Sequence, residues 1–317
     1  MRALALFFAC ALALPASAQA PATPSAAPYL VVLGVAQDGG SPQAGYPQEP
    51  GWHDESLRRH ATSLAIVDEA SGARWLFDAT PDFPAQLNRL DEMTLNRKRP
   101  GIDGIFLTHA HMGHYTGLMY LGKEVLGAKA VPVYAMPRMA AFLRDNGPWS
   151  QLVKLENISL RPLAANVAVT IAPGLTVTPL LVPHRQEFSE VVGFRIVAPG
   201  KKILFIPDID SWKDWDALGT RIEAEIAKVD VAYLDGTFFA NGEIPGRDMS
   251  GFPHPFIRSS LDRFARLPET ERAKVRFIHL NHTNKALWPG TAERKAIEAA
   301  GMRVAEEGER TELGAPR

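Results

Sequence analysis

Phe106-Leu107-Thr108-His109-Ala110-His111-Met112-Gly113-His114 places three imidazoles within six residues, directly after a short apolar run. Ile102 to Leu107 reads as the buried strand that delivers them. In the extended tail of a strand, residues at i and i+2 project to the same side, so His109 and His111 can converge on one point. His114 stands where a helix begins, since Gly117-Leu118-Met119-Tyr120-Leu121 and Glu124-Val125-Leu126 carry helical spacing. Neutral imidazole is the commonest side-chain metal ligand, and a strand-to-helix loop can hold three of them rigidly. A lone histidine is more often a hydrogen-bonded core or surface residue, but a triple after a buried strand is the pattern of a metal site.

On either side of this stretch, short strands alternate with amphipathic helices between Gly/Pro turns. Strands are expected at Tyr29 to Gly34, Thr62 to Asp68, Arg74 to Asp78 and Val131 to Ala135. Further strands are expected at Val167 to Ala172, Leu175 to Val182, Val191 to Ala198, Lys202 to Ile206, Val229 to Leu234 and Val275 to Ile278. Helices are expected at Pro84 to Met93, Pro137 to Arg144, Trp215 to Ala227, Pro255 to Leu267 and Thr291 to Ala300. Hairpins mixed with helical segments argue for two mixed sheets with helices on their outer faces rather than one doubly wound parallel sheet. Several apolar strands end in a metal-compatible residue, namely His109, His184, Asp208 and His279. Strand ends are where α/β folds collect their chemistry.

The first residues carry an export pattern: Arg2, an apolar run from Ala3 to Leu14, and the small-x-small site Ala16-Ser17-Ala18. The run is shorter than the ~20 apolar residues that span a bilayer. Residues 1–18 are therefore expected to be a cleaved signal peptide, 19–28 a flexible Pro/Ala/Ser/Thr linker and 29–317 a single domain in the periplasm or outside the cell. Cys10, the only cysteine, falls in the signal, so the mature chain has no thiolate and its metal must be held by nitrogen and oxygen. A net charge of -1 gives no electrostatic case for nucleic acid, and no stable membrane insertion is expected after cleavage. The expected partner is a small-molecule substrate.

With these residues in view, the chain resembles the metallo-β-lactamase superfamily. Its motif H-x-H-x-D-H is similar to His109-Ala110-His111-Met112-Gly113-His114, with Gly113 in the place of the Asp. Within that superfamily the nearest likeness is to the coenzyme pyrroloquinoline-quinone biosynthesis protein B group, with the cyclic phosphodiesterase of phosphonate breakdown a related relative. The resembling segments are Leu33-Gly34-Val35-Ala36-Gln37-Asp38-Gly39-Gly40-Ser41-Pro42-Gln43, Val182-Pro183-His184-Arg185, Asp235-Gly236-Thr237-Phe238, Gly246-Arg247-Asp248-Met249 and His279-Leu280-Asn281-His282-Thr283-Asn284. The resemblance implies an αββα four-layer sandwich with metals at one edge. It implies that His109, His111 and His184 bind one metal, that Asp208 bridges, and that His114 and His279 face a second. Gly113 offers no ligand, so the second metal is expected to be weakly held, differently held or absent, with Asp38 and His282 the residues that could compensate. Tyr46 stands where some relatives place a cysteine serving a structural zinc, so that zinc is not expected.

A zinc-type site lowers the pKa of bound water toward ~7 and polarises a carbonyl or phosphoryl group. Ligation by nitrogen and oxygen suits one or two Zn²⁺ per chain and also admits Mn²⁺ or Fe²⁺. Asp208, His254 and His282 are the catalytic candidates. His254 resembles a histidine proposed in phosphodiesterase relatives to protonate the leaving group, and as a residue it reads equally as a turn histidine before a helix. His282 reads as a residue behind His279 or a stabiliser of an oxyanion, or else as a loop hydrogen bond, and Asp235 as a carboxylate orienting a metal-bound histidine or as a turn cap. Arg185 reads as a structural salt bridge in preference to an anion-binding group, and His53 and His60 as surface residues. The expected activity is an exported metal-dependent hydrolase of a phosphodiester, ester or lactone-like bond. The alternatives are an accessory role in quinone-cofactor biosynthesis and a non-hydrolytic binding or carrier protein on the same fold.

Overall fold

The structure, a computed structural model, describes residues 27–94 and 101–314. The expected signal peptide and residues 19–26 of the expected linker lie outside the described residues. Residues 27 and 28, assigned to that linker, are part of the fold: both are buried, and the Pro28 carbonyl accepts from the Leu313 amide at 2.8 Å.

Strands β1 (Tyr29–Gly34), β2 (Ser63–Asp68), β3 (Ala73–Phe77), β4 (Gly104–Phe106), β5 (Val131–Ala135) and β6 (Ile158–Pro162) belong to one sheet. Strands β7 (Val169–Ala172), β8 (Leu175–Leu181), β9 (Val192–Val197), β10 (Lys202–Ile206), β11 (Val231–Asp235), β12 (Val275–Ile278) and β13 (Arg303–Val304) form the other. The last strand, β14 (Arg310–Glu312), returns to the first sheet and gives the order β14-β1-β2-β3-β4-β5-β6, against β13-β12-β11-β10-β9-β8-β7. Each sheet is antiparallel at one end and parallel at the other, the change falling at β3 in the first and β10 in the second.

The pleat explains the layers. In β1, Leu30 and Val32 face the opposing sheet, while Val31 and Leu33 face the helices on the other side. In β2, Leu64 and Ile66 turn inward and Ala65 and Val67 outward. A strand covered on both faces reads as a continuous apolar run, which is the pattern of Tyr29–Gly34. Helices α1 (Phe83–Met93), α2 (Met112–Tyr115), α3 (Pro137–Asp145) and α4 (Trp149–Lys154) contribute Phe83, Leu87, Leu90, Tyr115, Met139, Leu143 and Leu152 to the outer core of the first sheet. Helices α5 (Trp212–Ala217), α6 (Ile222–Ile226), α7 (Ile257–Phe264), α8 (Glu269–Arg272) and α9 (Ala292–Ala299) follow in the second half, where Trp212, Trp215, Ile222, Phe264 and Ile297 join the core of the second sheet. The result is the expected αββα sandwich.

Several local expectations change. The helix expected over Trp215 to Ala227 is two short ones, α5 and α6, separated at Gly219, whose φ of 85° a helix interior cannot hold. Ser211 starts α5 by accepting from the Asp214 amide, earlier than the periodicity indicates. The helix expected after His114 is the single turn α2 followed by a 3-10 segment, Thr116–Leu121. Strand β6 went unread because its outer half is exposed and ends in Pro162 at the sheet edge. His60, read as a surface residue, is half-buried and pairs with Glu307 at 3.1 Å. Among the described residues, no helix is long and apolar enough to cross a membrane.

Candidate metal centre

The parallel strands end at one edge of the sandwich, and their ends carry the chemistry. Asp78 follows β3, His109 to His114 follow β4, and Asp208 follows β10. Asp235 closes β11 and His279 follows β12, while β8 leads to His184. The structure brings His109, His111 and His184 together in one group whose ligand atoms lie within 4.8 Å of one another. A second such group is Asp38, His114 and His279. Asp208 lies between them: its Oδ1 is 3.7 Å from His184 Nε2, and its Oδ2 is 3.0 Å from His114 Nε2 and 3.3 Å from His279 Nε2.

Every histidine of the two groups is tied from behind by one ring nitrogen. Nδ1 contacts Thr108 Oγ1 at 3.0 Å in His109, Asp78 at 2.7 Å in His114, Asp210 at 2.8 Å in His184 and Thr237 Oγ1 at 3.0 Å in His279. His111 is reversed, with Nε2 toward Glu187 at 3.2 Å and Nδ1 turned inward, 2.8 Å from His109 Nε2. Such outer partners fix ring orientation and tautomer for ligation. Asp78, Asp210 and Glu187 are functional neighbours that the sequence reading missed. Asp78 carried a usable signal, since it ends an apolar strand as Asp208 does.

The inward atoms fit a cation. Asp38 Oδ1, His114 Nε2, Asp208 Oδ2 and His279 Nε2 are all buried and none makes a hydrogen bond. They approach one another closely, yet no pair is aligned as donor and acceptor, so they share a focus instead of satisfying each other. An imidazole and carboxylate donor set of this kind matches a divalent metal. Burial pushes the His109 imidazole well below its ordinary range, with the neighbouring histidines adding to the effect, and keeps it in the neutral form that ligates. Burial also disfavours a charged His114, but Asp78 and Asp208 on either side outweigh it and raise that imidazole well above its usual value. Burial would raise Asp208, and the neighbouring imidazoles of His279 and His114 hold it well below the carboxylate range instead. The carboxylates around His114 thus create a strong demand for positive charge.

His254 joins this centre from the loop before α7, in a group with Asp208 and His279. Its Nδ1 is 2.8 Å from Asp235 Oδ2 and 3.1 Å from Thr237 Oγ1. Asp235 also caps its turn by accepting from the Thr237 amide and hydroxyl, and the histidine it orients is His254, not a member of the two ligand groups. Burial lowers the His254 imidazole, but Asp235 and then Asp208 more than offset this and raise it. His254 takes a φ of 125°, and Asp78 and His279 take 67° and 65°, backbone conformations that side-chain-bearing residues seldom adopt and that cluster at functional sites.

Two expectations are corrected here. His282 is not in the convergent cluster: its Nδ1 is 2.7 Å from Glu49 Oε1 and its ring lies 4.2 Å from that of Tyr46, so it fastens the loop over Ser41 to Pro50. Arg185, next to His184 in the chain, is exposed and forms no ion pair among the described residues, so the expected structural salt bridge is not made.

Comparison with known proteins agrees with this geometry. The family model described as the β-lactamase superfamily domain matches residues 73–269. Coenzyme PQQ synthesis protein B of Methylorubrum extorquens is 26% identical over 304 residues, covering 88% of this chain and 98% of the relative. The same protein from Pseudomonas putida is 25% identical over 314 residues, covering 90% and 100%. The crystal structure of Zn²⁺-bound PqqB from Methylobacterium extorquens superposes with a TM-score of 0.74 at 25% identity, over 90% of this chain and 100% of that one. A diphosphatase from the PhnP family shares the fold, with a TM-score of 0.63 at 21% identity over 90% and 96% of the two chains. Sandwich, strand-end metal centre and matched family model together place the chain in the β-lactamase superfamily, to which it belongs.

Proposed function

We propose that this protein is an exported metal-dependent hydrolase acting on a phosphodiester or related ester. The observation that carries the reading is the pair of buried ligand groups on either side of Asp208. Divalent metals held there, Zn²⁺ before Mn²⁺ or Fe²⁺, would supply Lewis acidity and a water acidified enough to act near neutral pH. Asp208 sets the spacing of the two positions, and Asp78, Asp210 and Glu187 hold the histidine rings in place. His254, whose protonated form Asp235 and Asp208 favour against the effect of burial, is placed to donate to the leaving oxygen. Arg185, exposed and adjacent in the chain to the ligand-group residue His184, is a candidate to pair with a phosphoryl oxygen, which favours an anionic substrate over a neutral lactone. Metal-loaded protein assayed against chromogenic phosphodiester, carboxylic ester and lactam substrates should hydrolyse the phosphodiester fastest. No turnover of any class at two metals per chain would overturn the reading. For export, mass spectrometry of protein from its native cell should find a chain beginning near Gln19, and an intact Met1 would refute it.

The second reading is a role in quinone-cofactor assembly, favoured by similarity to the PQQ synthesis proteins over nearly their whole length. Restoration of cofactor production in a bacterium lacking protein B would support it. A purely carrier role is disfavoured by the complete ligand set.

A further inference from the structure

We infer that Asp38, on the loop after β1, supplies the carboxylate of the second metal position, and that residue 113 is glycine because Asp38 occupies the space its side chain would fill. This deepens the metal-centre reading and rests on it.

Three observations on separate parts of the chain meet at Asp38. Its Oδ1 is one of the four buried, unbonded inward atoms, at 3.3 Å from His114 Nε2 and 3.8 Å from His279 Nε2. The side chain as a whole is 35% exposed, so the buried oxygen points into the centre while the rest reaches the surface. The loop is pinned there by the backbone: Ala36 bridges Leu280, with the Leu280 amide donating to Val35 at 2.9 Å and the Gln37 amide to Leu280 at 2.8 Å. A turn closed by the Gly40 amide on the Gln37 carbonyl then presents Asp38 next to His279. Finally, a Cβ on Gly113 would overlap Asp38 Oδ1 and lie 2.5 Å from its Cα and 2.9 Å from its Cγ, distances that real Cβ atoms do not show. Gly113 sits inside α2 with no left-handed φ, so the absent side chain is explained by Asp38 and not by backbone need.

The geometry makes the two positions exclusive: a carboxylate reaches this point from residue 38 or from residue 113, never from both. The test titrates metal-free protein with Zn²⁺ against a competing chelator and counts metal per chain, with Co²⁺ absorption reporting coordination. Wild type should bind two metals. Asp38→Ala should keep the position of His109, His111 and His184 and lose affinity at the other by more than the ~10–100-fold that removing a partner behind a ligand costs. Asp38→Asn, which keeps the shape, carries the same test should Asp38→Ala fail to fold. Gly113→Asp should bind the second metal more weakly than wild type, because its Cβ would meet the Asp38 Cα at 2.5 Å as well as the carboxylate. Asp38→Ala and Asp38→Asn retaining two metals at wild-type affinity would overturn the inference, as would a wild type that never exceeds one. Hydrolysis is scored separately: two metals, one lost with Asp38, and no turnover would sink the hydrolase reading and leave this inference standing.

Discussion

Asp235 joins a turn to a reacting group through one side chain. One oxygen accepts from the Thr237 amide and hydroxyl, and the other accepts from the Ile209 amide at 3.0 Å and faces His254 Nδ1 at 2.8 Å. Replacing His254 with Ala should lower kcat on a phosphodiester by about 10²–10⁴-fold, the range that positioned proton transfer contributes. Metal content should stay unchanged, because the two ligand groups do not need His254. In Asp235→Asn the foremost group raising the imidazole is neutralised. His254 should then lose its proton at lower pH, moving the alkaline limb of the kcat profile to the acid side. An unshifted limb, with metal content intact, would remove His254 as the proton donor. At this scale the three-histidine motif was open to sequence reading because ligand type and spacing are local. The partner Asp210 was not, since nothing local marks an aspartate two residues after Asp208 as standing behind His184, while Asp78 at its strand end carried a signal that did not say which histidine it holds.

Elements are joined across the chain by ion pairs that sequence periodicity does not register. His60, before β2, holds Glu307, between β13 and β14, and the same carboxylate takes Arg89 of α1 at 3.1 Å. The Glu307 hydrogen bond raises the His60 imidazole above 6.5, against the opposing effect of burial. A folded-state pKa raised above the unfolded one gives stability that is fully present below about pH 6.5 and is lost as pH rises through the folded value. The melting temperature of wild type should therefore exceed that of His60→Gln most at pH 5.5–6, with the gap narrowing at alkaline pH. A gap independent of pH would show that the pair acts through shape alone. A similar bidentate fork, Arg263 on Glu223 at 2.7 and 2.8 Å, joins α7 to α6 and draws the Glu223 carboxyl down to about 2. Together with Gly219 it accounts for the broken helix: the chain turns there to bring Glu223 under α7, a tertiary demand that apolar spacing over Trp215 to Ala227 does not contain.

For the molecule as a whole, the metal centre depends on how the two sheets face each other. Phe77 of β3 and Phe106 of β4 meet Phe194 of β9 at ring-centroid distances of 5.6 and 5.7 Å, with Phe205 of β10 at 6.3 Å from Phe77. All four are fully buried, and Phe77, Phe106 and Phe205 lie within a few residues of Asp78, His109 and Asp208. Phe194→Ala should cost about 3–5 kcal/mol and lower Tm by roughly 10 °C. It should also weaken metal retention, although Phe194 touches no ligand, because it separates the strands that carry His109 and Asp208. Full metal affinity in a destabilised Phe194→Ala protein would show that the centre is held by its loops alone. By itself, the sequence determined the alternation of strands and helices, the sandwich class and the identity of most inward histidines, because apolar periodicity and ligand chemistry are short-range. Tertiary structure alone decided that Asp38 meets His114 and His279, that Gly113 leaves room for it, and that His282 turns away to Glu49. Those choices depend on a backbone bridge between Ala36 and Leu280, far apart in the chain, and no local pattern encodes a contact made only when the two halves close.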